Sequence, residues 1–268
     1  MVRVSKELRN ARTVEEIVPF VTEAFGTFGA EFASHGYLKK VHDCLSRAWL
    51  MQAKDLSAQD MRENSQRLNE LAPHLKDTTT VLQTLTEITT AIGESSSLKH
   101  KCLLGCLRYL VAVEGIFDQA IYSILEISLI AQNRKVRPSA NKLLVLIGRE
   151  KEDGSNERGL YDELKDLIGQ EDTSVLFEGY DKTIRNGIAH ASFQISTDNH
   201  SIIFRNPWKQ NETVTQTIEG LSKRFDKMID VCNYVAHFIV LIFILGYAES
   251  SFINETELYP NFRLGQNG

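Results

Sequence analysis

The chain is 268 residues long, 43% hydrophobic and 24% charged, with a formal net charge of −5; it is long enough to bury a core, and its composition is that of a globular protein. The negative balance argues against sequence-indifferent adhesion to nucleic acid, though not against RNA binding through a local patch. Five prolines among frequent helix formers predict a mainly α fold, and hydrophobic patterning along the chain resolves it into a helical bundle with a short β-hairpin and an extra N-terminal helical region.

The first twenty residues carry Arg3, Lys6, Glu7, Arg9, Arg12, Glu15 and Glu16 without an apolar core of the secretory kind, so a cytoplasmic protein is expected. One or two helical segments are predicted over 5–33, then a helix from Tyr37 to about Lys54, where Leu38, Val41, Leu45, Ala48 and Trp49 recur at helical spacing. His35 and His42 in this region lack a nearby acidic third ligand and do not suggest a metal site. From Met61 to Ile92 a heptad-like stripe runs through Leu68, Leu71, Leu75, Leu82 and Leu85. Pro73 interrupts it, so two bundle helices or one kinked helix are expected rather than a free coiled coil. The threonines of 78–90 form its polar face.

Gly93-Glu94-Ser95-Ser96-Ser97 has the composition of an internal boundary. It divides a region 1–97, suited to regulation, partner binding or dimerisation, from a helical domain 98–258 and a tail 259–268. A long apolar helix is predicted over Leu98 to Ala131, carrying Glu114 and Asp118 one turn apart. Carboxylates within an apolar run need a partner, and Arg185 is the candidate. A basic turn follows at 133–139; Arg134, Lys135, Arg137, Lys142 and Arg149 cluster there and just beyond. Helical segments are expected at about 139–150 and 157–170, then a helix over about 173–191 started by Asp172 or Thr173. Phe193 and Ile195, a turn at 197–199, and Ile202, Ile203 and Phe204 read as a hairpin. After a loop from Asn206 to Glu212, a last helix is predicted from Thr213 or Thr215 to about 250. Its run HFIVLIFILGY is shorter than the ~20 residues a bilayer needs, so a buried or interface helix is expected and no membrane partner.

The four cysteines include Cys102 and Cys106, four apart in an apolar helix rather than in a metal-binding hairpin, so free thiols are expected. Phosphate-cradling glycine loops, zinc-protease and serine-hydrolase motifs are all missing from the sequence. What carries chemistry is Ile184-Arg185-Asn186-Gly187-Ile188-Ala189-His190. On one helix, Asn186 and His190 fall a turn apart on one face, with Arg185 roughly 140° round from His190. Arg presents a planar donor fork matched to phosphate, and His exchanges a proton near neutrality. Asn can fix the imidazole or a substrate oxygen. The three types suit cleavage of a phosphodiester by its own ribose 2′-OH without a metal. Lys182 and Ser192, at the two ends of the segment, are candidates for substrate contacts.

The combination of IRNGIAHASF, small residues thinning the helix and a hairpin directly after resembles the HEPN superfamily. That signature is Arg, a polar residue, a few further residues, then His. The resemblance implies a helical domain that dimerises with two motifs face to face, and metal-independent endoribonuclease activity in toxin or antiviral defence. It also implies roles: Arg185 on the scissile phosphate, His190 as acid/base, Asn186 orienting both. No cofactor is implied; RNA, a second copy of the chain and a defence partner or antitoxin bound through 1–97 are. Relatives paired with a tyrosine-modifying antitoxin carry Tyr two residues after the His, where this chain has Ser192, so that arrangement is not implied. A catalytically silent RNA- or nucleotide-binding scaffold is the alternative.

Overall fold

A computed structural model describes residues 36–52, 78–131, 146–147, 149–150, 156–197 and 200–236. Within them the protein is mostly helical, with a three-stranded antiparallel sheet. The segments predicted at 5–33, the stripe before residue 78, the apolar run 237–247 and the tail 259–268 lie outside the described residues. So do Arg134, Lys135, Arg137 and Lys142 of the basic cluster.

The organising element is a helical rod. It comprises α3 (Leu98–Ala112), a single wide π turn (Val113–Phe117) and α4 (Asp118–Ala131). The rod buries Cys102, Cys106, Tyr109, Ala112, Val113, Ile116, Phe117, Ile121 and Ile124, an apolar surface too broad for one neighbour. Helix α1 (Gly36–Gln52), helix α2 (Thr78–Glu94) and a helix α8 over residues 218–236 cover it. Val41, Cys44 and Leu45 of α1, Leu85 of α2, and Leu221, Met228 and Val231 of α8 all belong to the same core as the rod. The stretch with linker composition is a three-residue helix–helix turn: α2 ends at Glu94 and Ser97 caps α3, its hydroxyl accepting the His100 N–H at 3.4 Å. Helix α2 then lies close on the π turn, since a Cβ at Gly115 would come within 2.6 Å of Val81 Cγ1. One residue of the expected stripe is misplaced. Leu82 is 47% exposed, while Leu85 and Ile88 carry the buried face; among the described residues α2 packs on the rod.

The predicted helix over 139–150 does not hold at its end. Arg149–Glu150 (β1) pairs with Asn156–Glu157 (β2) in a two-residue ladder. Helix α5 (Leu160–Ile168) and helix α6 (Gln170–Leu176) follow, separated by Gly169 at φ 91°, a left-handed geometry glycine takes without steric cost. The helix predicted to run unbroken over 173–191 is two helices. Asp172 and Thr173 lie inside α6, and α7 (Lys182–Ala189) starts afresh with Asp181 as its N-cap. The intervening turn is clamped: a Cβ at Gly179 would sit 2.6 Å from the Arg224 carbonyl oxygen on α8. Phe177 and Tyr180 pack on Phe117 of the rod, edge-on at 5.9 Å and stacked at 6.2 Å. Each aromatic pair contributes about 0.5–1.5 kcal/mol beyond its buried area.

The hairpin forms as expected, Phe193–Ile195 (β3) against Ser201–Asn206 (β4) with Phe193 opposite Phe204. What reads as a loop and the start of the last helix is a third strand, β5 (Lys209–Thr217), with Val214 opposite Phe204. The β-branched residues at 213, 214, 215 and 217 favour the extended form, and α8 starts only at 218. Among the described residues, no helix is long and apolar enough to cross a membrane.

Candidate functional site

Helix α7 is held at both ends. At its start, the Asp181 carboxylate accepts the N–H groups of Thr183 and Ile184 at 2.9 and 3.1 Å, and Arg224 lies 3.7 Å from the same carboxylate. Tyr109, fully buried on the rod, accepts the Asp181 N–H at 2.8 Å and donates to the Gly179 carbonyl at 3.3 Å. At its end, the Ala191 N–H donates to Ile188 and the Ser192 N–H to Gly187, at 3.1 and 2.7 Å, the paired closure usual where glycine follows a helix. Here the left-handed residue is Ala191, at φ 52°, which costs an L-residue about 1–2 kcal/mol. Gly187 faces Phe204 so closely that an added Cβ would come 3.1 Å from Phe204 Cβ. The lack of a side chain there lets α7 lie directly on β4.

Arg185 reaches across to the π turn. Its Nε and Nη2 both meet Oε1 of Glu114, at 2.6 and 2.5 Å, and its Nη1 donates to Asn186 Oδ1 at 2.9 Å. The guanidinium therefore has a fixed orientation although it is 32% exposed. Asp118, half-buried one turn along from Glu114, is pushed up to about 6 by burial, with the Glu114 charge adding and the Arg185 charge opposing. Tyr180, beside the same group of charges, is raised to about 12, chiefly by burial. The candidate partnership of Arg185 with a rod carboxylate thus exists, through Glu114 directly and Asp118 electrostatically.

Asn186 and His190 do not share an environment. Asn186 is 4% exposed and bonded to Arg185, whereas His190, the residue that ends the helix, is exposed. The helix finishes at Ala189, so the periodicity that would align them stops one residue short. Asn186 orients the guanidinium and leaves the imidazole to another neighbour. That neighbour is Trp208, whose ring lies edge-to-face with His190 at 4.6 Å and 78°. In the sequence Trp208 reads as a loop residue, and its place directly after Asn206-Pro207 is the signal that marks it out. Lys182 begins α7, and its charge, after two hydrogen bonds and Lys209, helps hold the Glu212 carboxyl below the usual range. Ser192 turns its hydroxyl back to the His190 carbonyl at 3.4 Å, and its own carbonyl accepts the Arg205 N–H at 2.9 Å. It joins α7 to the sheet. Among the described residues, no group of three His, Cys, Asp or Glu side chains is arranged to hold a metal ion.

The site is therefore an Arg–Asn–His segment braced at the cation by a carboxylate and at the imidazole by an indole. No family model, curated protein or solved structure matches the chain.

Proposed function

We propose that the chain is a metal-independent endoribonuclease of the HEPN type, acting as a homodimer in toxin or antiviral defence. The observation that carries the reading is the presentation of the motif. Arg185 is oriented by Glu114 and Asn186, and His190 stands in solvent at the end of the same short helix. In the reaction, one imidazole takes the proton from a ribose 2′-OH, whose oxygen attacks phosphorus. The bond from phosphorus to the 5′-oxygen breaks, and that oxygen takes a proton from a second imidazole. The products are a 2′,3′-cyclic phosphate and a 5′-hydroxyl. Arg185 balances the charge gathered on the phosphoryl oxygens. Each motif supplies one imidazole, so the second comes from His190 of a second copy. Residues 1–97 are then the candidate surface for a defence partner, and the cytoplasm the expected location.

A silent RNA- or nucleotide-binding scaffold is favoured by one fact: all three guanidinium nitrogens of Arg185 already have protein partners. The two readings separate on incubation of the purified full chain with mixed RNA in EDTA. The nuclease yields 2′,3′-cyclic phosphate ends, and His190→Ala lowers the rate by roughly 10²–10⁴-fold with the dimer retained in sedimentation. Full activity in that variant, or loss of wild-type activity on chelation, would overturn the scheme.

A further inference from the structure

A tryptophan that serves the core is covered; Trp208 is 66% exposed. The backbone that carries it is nevertheless fixed. The Trp208 backbone N–H donates to Asn206 Oδ1 at 3.1 Å, and buried Asn206 donates through Nδ2 to Glu212 Oε2 at 2.7 Å. The other Glu212 oxygen accepts the Thr183 hydroxyl at 3.0 Å. Thr183 belongs to the first turn of α7, so the hairpin tip is tied to the helix that carries Arg185 and His190. With its backbone held, only the ring's own rotamer freedom is left to lose on binding. Its immediate contact is the His190 ring. Exposed Arg205 and Lys209 stand on the two strands beside it, while Glu212, the acidic group nearby, has its oxygens turned to Thr183 and Asn206. Cations interleaved with an exposed ring on one hairpin are what single-stranded nucleic acid recognition uses, the ring stacking a base and the cations tracking phosphates.

We propose that Trp208 is a base-stacking platform, taking an unpaired nucleobase of the RNA next to the phosphate presented to His190. The inference rests on the ribonuclease reading and adds what that reading lacks: a reason for single-stranded substrate, since a paired base has no face free for the indole.

The test uses the full-length protein and a single-stranded RNA oligonucleotide 2′-O-methylated throughout, which lacks the attacking hydroxyl and reports binding alone. In a Trp49→Phe background, which leaves Trp208 as the one tryptophan, the oligonucleotide is expected to quench the indole fluorescence, and its duplex form is not. Trp208→Ala is expected to weaken oligonucleotide binding by roughly 5- to 150-fold, with Trp208→Phe retaining most of the affinity and thermal unfolding unchanged in both. Wild-type affinity in Trp208→Ala overturns the proposal, as does conversion of that variant to a monomer, which would make the indole a subunit contact. The two readings fail differently. A wild-type chain that cuts unmodified RNA while Trp208→Ala binds normally sinks only the platform; a wild-type chain that neither binds nor cuts sinks both.

Discussion

Asp118→Asn tests the electrostatics of the braced cation directly. The Asp118 carboxyl is raised from 3.8 to about 6, first by burial and then by Glu114, against the favourable pull of Arg185. The folded state thus binds this proton more tightly than the unfolded chain. Well above pH 6 the group is ionised in both states and the full cost of the buried charge falls on the fold; well below about 4 it is protonated in both and the cost vanishes. A rise of this size corresponds to a ceiling of roughly 3 kcal/mol. Asp118 is half-buried rather than sealed, so roughly 1–2 kcal/mol is expected in practice. Asn keeps the shape and removes the charge. Urea unfolding of both proteins from pH 8 to pH 4 should give the variant that advantage at pH 8, shrinking through pH 6–4 toward nothing. Groups not coupled to Asp118 cancel in the difference. A variant less stable at pH 8, or an advantage that does not change with pH, would refute the reasoning.

Two further substitutions separate fold from function at the same site. Tyr109→Phe removes the hydroxyl that accepts the Asp181 N–H and leaves a donor without its partner, so a loss of about 1–3 kcal/mol is expected in chemical denaturation; unchanged stability would show the clamp to be dispensable. Glu114→Ala breaks a pair whose side chains are 32% and 46% exposed, so stability should fall by about 1 kcal/mol or less. On the proposed ribonuclease reading, RNA cleavage at saturating substrate should fall roughly 10- to 100-fold as Arg185 loses its orientation, and equal activity would remove Glu114 from the site.

The parts of this architecture visible in the sequence are those set by short-range pattern. Arg185, Asn186 and His190 stand out by type and spacing, and Phe193, Ile195, Ile202 and Phe204 announce a hairpin by alternation. Glu114 and Asp118 are conspicuous because carboxylates in an apolar run demand an explanation. What the pattern hides is set at long range. The break before Asp181 exists because Gly179 meets the backbone of α8 and Tyr109 holds the turn, contacts 45 and 70 or more positions away in the chain. Strand β5 offers Val214 among polar threonines, and a threonine can also cap a helix, so the segment reads equally well as a helix start. The π turn leaves no mark in the sequence, yet it carries the carboxylate that orients Arg185.

Under the proposed nuclease reading, those long-range contacts also explain how one eight-residue helix would serve two groups with opposite needs. A cation for a phosphate has to be aimed, and Arg185 is aimed by the rod through Glu114. An imidazole that exchanges protons with a substrate has to be reachable, and His190 is put past the helix end, where Ala191 turns left-handed and the chain leaves toward β3. Five residues at about 1.5 Å each separate the two positions along the axis by roughly 7.5 Å. Each is braced by a different layer, the rod for Arg185 and the hairpin tip for His190. The strained residue at 191 is the joint between those layers: a glycine there would relieve the conformation but loosen the chain just where the imidazole must stay in place.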